Sequence, residues 1–299
     1  MKVSRAMPRI NTSSLNSVSL LLAAVCWGIV WYPYRLLADA GMAAVAASFY
    51  CYLTILILAG AVCFKHWRGI QKLPFSIIWL GLAAGWTNLA YVIAVVDGEV
   101  MRVMLLFYLS PLWTLVLAHF WLKERTNQRG LIIIALSLIG AFIMLYDPTG
   151  KASALPLPKN NAEWIALSSG MAFALSNVIT RKSTHLTVRS KSFAVWVGVF
   201  LMAVLAMPFV QTTMPAPSII NLNIGIIILI IAFAIIAATV LTQYGITRLP
   251  AARASVLFLF ELVVAAISSY YLAHEVMHWN EWLGGFFIVL SALLSASKE

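Results

Sequence analysis

The chain has 299 residues, of which 62% are hydrophobic and only 10% are charged, and its formal net charge is +10. Because soluble domains carry about a quarter charged residues, this composition excludes an ordinary soluble protein and makes lipid the solvent for most of the chain. The basic residues lie in short clusters between apolar runs, so they do not indicate a nucleic-acid-binding protein.

Ten apolar segments have about the length that a membrane-spanning helix requires. In chain order they cover residues 15–37, 42–64, 75–96, 100–121, 130–146, 163–180, 192–210, 223–246, 251–273 and 280–296. The first segment continues for a full span without a clear small-residue cleavage site, so we expect a retained helix rather than a signal peptide. The sequence therefore predicts an all-α polytopic membrane protein with ten transmembrane helices.

The charges of the connecting loops alternate along the chain. Lys and Arg cluster before the first helix and in the even-numbered loops, whereas the odd-numbered loops hold mixed or acidic residues, namely Asp39, Asp97, Glu99, Asp147, Glu275 and Glu281. The positive-inside rule then predicts a multi-pass protein of a bacterial-type inner membrane with both termini in the cytoplasm.

Two halves of the sequence resemble each other. Residues 102–124 match residues 253–275 with an arginine at the start and a glutamate at the end, and Trp27 to Arg35 matches Phe173 to Arg181 more loosely. Each half has five spans, an odd number, so the two copies must have opposite orientations in the membrane. We expect two repeats, 1–150 and 161–299, and such inverted repeats are typical of secondary transporters.

Several short motifs occur in the order found in a known family. They are Trp27-Gly28, Leu109-Ser110-Pro111-Leu112-Trp113, Leu122-Lys123-Glu124-Arg125, Leu249-Pro250-Ala251-Ala252-Arg253-Ala254-Ser255 and Glu261. With these motifs the chain resembles the drug/metabolite transporter superfamily, EamA type. The resemblance implies ATP-independent export of amino acids or other metabolites through a central cavity, lined by helices one, three, four, six, eight and nine. Leu262 stands where the family often has a proline.

Glu261 lies about ten residues into the ninth helix, where an ionisable group is costly and therefore informative. The functional interpretation is a proton-coupling carboxylate or a ligand for a substrate ammonium group. The structural alternative is a buried acid whose charge is satisfied by a neighbouring hydroxyl or cation.

Three further polar residues are candidates for substrate binding. Arg35 could bind a substrate carboxylate, although interfacial anchoring is the commoner role for an arginine at a helix end, as for Arg181. Asn88 and Asn177 lie deeper in the third and sixth helices, where they could bind substrate or link helices to each other.

Aromatic residues are the remaining substrate-binding candidates. They are Trp27, Trp31, Trp86, Tyr91 and Tyr108, which could line a cavity for an aromatic or cationic solute or could simply pack against other helices. Trp27 and Trp31 are four residues apart, which predicts a shared helix face. Pro33 and Pro111 remove backbone hydrogen bonds, so they are candidates for a gate or a static kink.

One motif suggests a different class of protein. His274-Glu275-Val276-Met277-His278 has the H-E-x-x-H pattern of zinc metalloproteases, which requires both histidines on one helix face. The predicted ninth helix ends near Ala273, and Glu275 is already explained as the repeat counterpart of Glu124. An intramembrane metalloprotease and a passive channel or assembly subunit remain as alternatives to a solute carrier.

No nucleotide-binding loop of the G-x-x-x-x-G-K-[ST] type occurs, so we do not expect transport driven by ATP. We also expect no cofactor, no metal and no catalytic residue. The expected partners are a small-molecule solute, the lipid bilayer and a coupled proton. The solute, the direction of transport, the coupling ion and the choice between monomer and homodimer are left open by the sequence.

Overall fold

The computed structural model describes residues 12–63, 74–97, 100–144, 146, 158–209, 221–272, 274 and 277–296. The helices are α1 (Thr12–Asp39), α2 (Ala44–Cys63), α3 (Phe75–Asp97), α4 (Val100–Phe107), α5 (Ser110–Leu117), α6 (Gln128–Met144), α7 (Asn161–Lys182), α8 (Val188–Ala206), α9 (Leu222–Arg248), α10 (Ala251–Phe258), α11 (Phe260–Leu272) and α12 (Trp279–Ala296). A π-helical turn, Ala118–Leu122, extends α5.

These segments correspond to the ten predicted spans. The fourth span consists of α4, α5 and the π turn, and the ninth consists of α10 and α11. Within the described residues, six helical segments are long and apolar enough to cross a membrane, one of which is the ninth span of α10 and α11, and three more apolar segments are shorter. The predicted all-α polytopic fold with ten helices is confirmed.

The packing of the helices is symmetric between the two halves. In the first half α1 packs against α9 and α11, and in the second half α7 packs against α3 and α5. The exchange replaces the first span (α1) by the sixth (α7), the third (α3) by the eighth (α9), and the fourth (α4 and α5) by the ninth (α10 and α11). It converts one set of contacts into the other. The pairs α6–α12 and α2–α8 are converted into themselves. This exchange pattern is the arrangement expected of the predicted inverted five-helix repeats.

Helix breaks occur at matched positions of the two repeats. Phe107 ends α4 and Phe258 ends α10, and each is five residues after the aligned arginine, Arg102 or Arg253. Leu109 donates its N–H to Leu106 (3.4 Å), and Leu259 donates to Val256 (3.1 Å), which are tight three-residue hydrogen bonds. The second break therefore forms although Leu262 replaces the proline that the family often has.

A glycine of a neighbouring helix lies against each break. A methyl group added at Gly28 of α1 would lie 2.8 Å from the carbonyl oxygen of Glu261. One added at Gly170 of α7 would lie 2.6 Å from the carbonyl oxygen of Phe107. Because small residues let membrane helices approach closely, α1 and α7 can support the interrupted backbone of the ninth and fourth spans.

Glycines also mark the contact of α3 with α8 and that of α6 with α12. A side chain at Gly81 would meet the Ala194 carbonyl oxygen at 2.9 Å, and one at Gly198 would collide with the backbone of Gly81. A side chain at Gly140 would meet the Gly284 carbonyl oxygen at 2.8 Å. The backbones are in contact at both crossings, as is common where membrane helices pack through small residues.

Candidate functional site

Glu261 lies where the ninth span is interrupted, in the first turn of α11, and its side chain is half-buried. The start of a helix carries a partial positive charge, which favours a carboxylate at this position. The hydroxyl of Tyr108, at the break of the fourth span, is placed to donate a hydrogen bond to this carboxylate. The two breaks, one from each repeat, therefore meet at the Glu261–Tyr108 pair.

Tyr91 is the third predicted site residue in this group. It lies close enough to Glu261 to interact with it electrostatically. Its ring packs edge-on against Phe107 with 5.1 Å between ring centroids, and Phe107 packs against Tyr108 at 5.2 Å. The structure thus brings Glu261, Tyr91 and Tyr108 together, with one carboxylate and two hydroxyl groups among aromatic rings.

Three phenylalanines extend this group, and the sequence analysis missed their common position. Phe173 of α7 lies between Phe107 (5.6 Å between ring centroids) and Phe258 (5.4 Å). Phe107 and Phe258 occupy equivalent positions of the two repeats, and Phe173 is the counterpart of Trp27. An alignment of the two repeats could have predicted this common position. Aromatic residues at matched positions beside two helix breaks are brought together when inverted repeats pack.

The two tryptophans of α1 contact different parts of the molecule. The indole N–H of Trp31 donates to the Ser268 hydroxyl of α11 at 2.9 Å, and Ser268 donates to the Gly28 carbonyl oxygen at 3.1 Å. Trp27, one turn earlier, packs against the core cluster built from α1, α2, α8 and α9. Trp31 is therefore tied to the helix that carries Glu261, whereas Trp27 has the packing contacts that the structural alternative predicts.

Trp86, Asn88 and Asn177 lie on α3 and α7, which pack together. The indole N–H of Trp86 donates to Ser168 of α7 at 3.2 Å, and 41% of the Trp86 side chain is exposed. Asn88 is half-buried and Asn177 is buried. In the described part of the chain, no recorded contact joins any of the three to Glu261, so their role in binding stays a prediction.

The remaining predicted residues lie in or beside α1 and α5. Arg35 is exposed, four residues before the end of α1, and Pro33 lies inside α1, which continues as a helix past it. Pro111 lies in the first turn of α5, directly after the break of the fourth span. Of the two prolines, only Pro111 lies at an interruption of the helix.

A cavity of about 240 Å³ lies beside Tyr108, between the break of the fourth span and α6. Its walls are almost entirely apolar and are formed by Tyr108, Leu109, Leu112, Leu138, Ile139, Ala141 and Phe142. None of these lining residues is charged, so the cavity offers mainly apolar contacts.

The two histidines of the H-E-x-x-H motif do not lie in a helix. His274 is exposed, non-helical and has a φ of 55°, and α11 has already ended at Leu272. His278 lies before α12, where its backbone N–H donates to the Glu281 carboxylate at 2.6 Å. Glu275 lies outside the described residues. The helical geometry that a zinc metalloprotease of this type needs is therefore lacking at both histidines.

Comparison with known proteins gives a consistent result. The model of the EamA-like transporter family matches residues 16–146 and again residues 160–297. An uncharacterized transporter of Pseudomonas aeruginosa, PA0485, is 23% identical over 171 residues, which cover 54% of this chain and 53% of that protein. The match thus spans about half the length of this relative. A protein of known crystal structure superposes with a TM-score of 0.70 at 15% identity, over 95% of this chain and 97% of its own, which shows a shared fold.

Proposed function

Because the chain belongs to the EamA-like transporter family, whose model matches both halves, we propose that it exports a small organic metabolite, such as an amino acid. As a member of this family, the protein is a secondary transporter in a membrane. The proposed mechanism is alternating access, in which the repeats 1–150 and 161–299 rock about a central site. The proposed location is the inner membrane, with both termini in the cytoplasm.

The meeting of the two interrupted spans at Glu261 carries this proposal. Discontinuous helices that meet between inverted repeats are a recurrent way to build a solute site in secondary transporters, because they bring polar groups into the membrane. Here the ninth span contributes the carboxylate of Glu261 and the fourth span contributes the hydroxyl of Tyr108. A movement of one repeat relative to the other would change this contact directly.

Two roles fit the chemistry of Glu261. Its carboxylate can bind the ammonium group of a solute, or it can exchange a proton during the transport cycle. The aromatic rings of Tyr91 and Tyr108 can contact an apolar or cationic part of the same solute. We propose that the other candidate residues contact the solute at the periphery of the site. They are Trp27, Trp31, Trp86, Arg35, Asn88 and Asn177.

The distinguishing experiment is solute counterflow. Purified protein is first screened by thermal shift against amino acids, aromatic metabolites and polyamines, and any stabilising compound is then tested in proteoliposomes. A carrier exchanges labelled for unlabelled solute and transiently accumulates the label, whereas a channel only equilibrates it. Accumulation of the label would support the proposal and identify the class of solute. Equilibration without accumulation would replace the carrier by a passive channel.

A further inference from the structure

A second polar group lies at one end of the helix bundle, away from Glu261. We name it the basic-end cluster, and it consists of Glu124, Thr180, Arg181, Lys191, Gln243 and Thr247. It joins the segment after the π turn of the fourth span to the end of α7, the start of α8 and the end of α9. Five of its six members belong to the second repeat, and Glu124 alone belongs to the first.

Glu124 connects the two repeats through both oxygens of its carboxylate. Oε1 accepts a hydrogen bond from Nε of Arg181 in α7 at 3.0 Å, which is also an ion pair. Oε2 accepts the backbone N–H of Ala251, the first residue of α10, at 2.9 Å. Arg181 also donates to the carbonyl oxygen of Thr247 at the end of α9, at 2.8 Å. One carboxylate thus holds the end of the fourth span against α7 and α10 of the second repeat and, through Arg181, against α9.

Lys191 holds the second-repeat side of the cluster together. Its ammonium group is buried and donates to the carbonyl oxygens of Thr180 (3.2 Å) and Ser183 (3.1 Å) and to the hydroxyl of Thr247 (2.6 Å). A cation beside the last carbonyl groups of α7 also complements the partial negative charge of that helix end. The ends of α7, α8 and α9 therefore form one block, to which Glu124 is attached.

Local backbone geometry directs Glu124 toward this block. Lys123 directly follows the π turn and has a φ of 56° and a ψ of 24°. This left-handed backbone conformation is uncommon for residues other than glycine. The N–H of Glu124 donates back to the carbonyl oxygen of Ala118 at 3.2 Å. A conformation of this kind is maintained only where surrounding contacts stabilise it, and here those contacts are the ones made by Glu124.

Apolar residues are packed directly behind the ion pair. Ala118 (3% exposed), Val178 (0%) and Ala251 (1%) form one buried cluster, with Leu117 and Leu122 packed against it. Ala118 belongs to the first repeat, whereas Val178 and Ala251 belong to the second. The interface between the repeats is therefore dry at this end, and a solute could pass only if the cluster separated.

We propose that Glu124 is a positioning residue that closes this end of the transport path and that its bonds to Arg181 and Ala251 break when the end opens. The inference rests on the proposed alternating-access mechanism. Since Glu124 is the one member of the cluster from the first repeat, its release separates the repeats here without dismantling the block of α7, α8 and α9.

The test measures the accessibility of a cysteine placed behind the ion pair. Val178 is replaced by cysteine in a background in which Cys26, Cys51 and Cys63 are alanine, and the protein is reconstituted in lipid nanodiscs. The rate of labelling by a charged methanethiosulfonate is then compared among variants. We expect Glu124→Gln and Arg181→Gln to raise this rate by at least about tenfold, because each removes a charge-assisted hydrogen bond of the closed state.

Glu163→Gln is the matched control, since Glu163 is a buried carboxylate at the opposite end of α7, where it accepts the N–H of Lys159 at 2.9 Å. It should leave the labelling rate unchanged. If Arg181→Gln does not fold, it is replaced in the test by Arg181→Lys, which retains the positive charge. Unchanged labelling in every folded Glu124 and Arg181 variant would overturn the inference, and so would an equal increase in Glu163→Gln. The labelling needs no solute, so a failed counterflow experiment would reject the carrier function independently.

Discussion

Glu261 is the one acidic residue that we assign to the site. Placing a charged carboxylate at the centre of a membrane helix costs about 3 kcal/mol on insertion scales. In this structure the residue lies at the start of α11, with the Tyr108 hydroxyl in hydrogen-bonding reach. Both features reduce this cost, and the carboxylate is suited to bind a positively charged solute or a proton.

The first prediction concerns this carboxylate. Glu261→Gln keeps the shape of the side chain and removes its charge, so counterflow should fall at least about tenfold while expression and thermal stability are maintained. Glu163→Gln, which changes a carboxylate at a helix start remote from the breaks, should transport normally. Full counterflow in Glu261→Gln would remove this residue from the binding role, and unchanged proton-driven uptake with an unchanged pH dependence would remove it from the coupling role.

Tyr108 gives a second prediction. Tyr108→Phe keeps the ring that packs against Phe107 and removes only the hydroxyl that faces Glu261. Loss of a hydrogen bond to a charged group should raise the KM for the solute by about tenfold, with a smaller change in the maximal rate. Counterflow measured over a range of solute concentrations separates the two parameters. An unchanged KM would mean that Tyr108 supports the fold rather than the site.

At the scale of helices, glycine crossings determine how closely the repeats approach. The contact of α3 with α8 crosses between the repeats, and Gly198 is in backbone contact with Gly81 there. The fourth and ninth spans depend on the same device, since each break lies against a glycine of α7 or α1. Interrupted helices are tolerated in a membrane only where neighbouring protein covers their backbone, and these glycines permit that cover.

The third prediction tests one crossing. Gly198→Leu should lower the free energy of unfolding by about 1–3 kcal/mol or more, because the added side chain has no space beside α3. Gly225→Leu in α9 is the matched control, since a side chain there would meet nothing within 4 Å. The stability of both variants is compared by thermal denaturation followed by size-exclusion chromatography. Equal stability of the two variants would contradict the close contact of α3 and α8.

At the scale of the whole molecule, charge and symmetry determine orientation. Arg181, Lys191 and Glu124 lie at one end of the bundle, where contacts join the fourth span to α7, α8 and α9. The positive-inside rule predicts that this end faces the cytoplasm. With that orientation, the cluster that Glu124 closes is the cytoplasmic end of the transport path.

The fourth prediction is a topology measurement. A green fluorescent protein fused after Glu299 should fluoresce, because the proposed orientation places this end in the cytoplasm. Alkaline phosphatase fused after Asn160, between α6 and α7, should be active, because the same orientation places that connection outside the cytoplasm. The reciprocal fusions are the controls: phosphatase after Glu299 should be inactive. Active phosphatase at Glu299 would reverse the proposed orientation.

The sequence by itself determined the solvent, the number of helices and the repeat. These follow from local properties: about 20 apolar residues span a bilayer wherever they occur, and loop charges need no partner to be counted. The sequence also predicted Glu261 as a candidate site residue, because an acid inside an apolar span is costly in any fold. The resemblance to the transporter family was confirmed by the family model, which matches residues 16–146 and 160–297.

Only the tertiary structure decided which of these residues meet. Tyr108 and Glu261 are far apart in the chain and come together because the two repeats pack with their breaks adjacent. The same packing gives Trp27 and Trp31 different partners. It also pairs Arg181 with Glu124, although interfacial anchoring was the expected role of Arg181. Helix periodicity gives the face of a single helix, but the partner of that face depends on contacts between helices that no local pattern encodes.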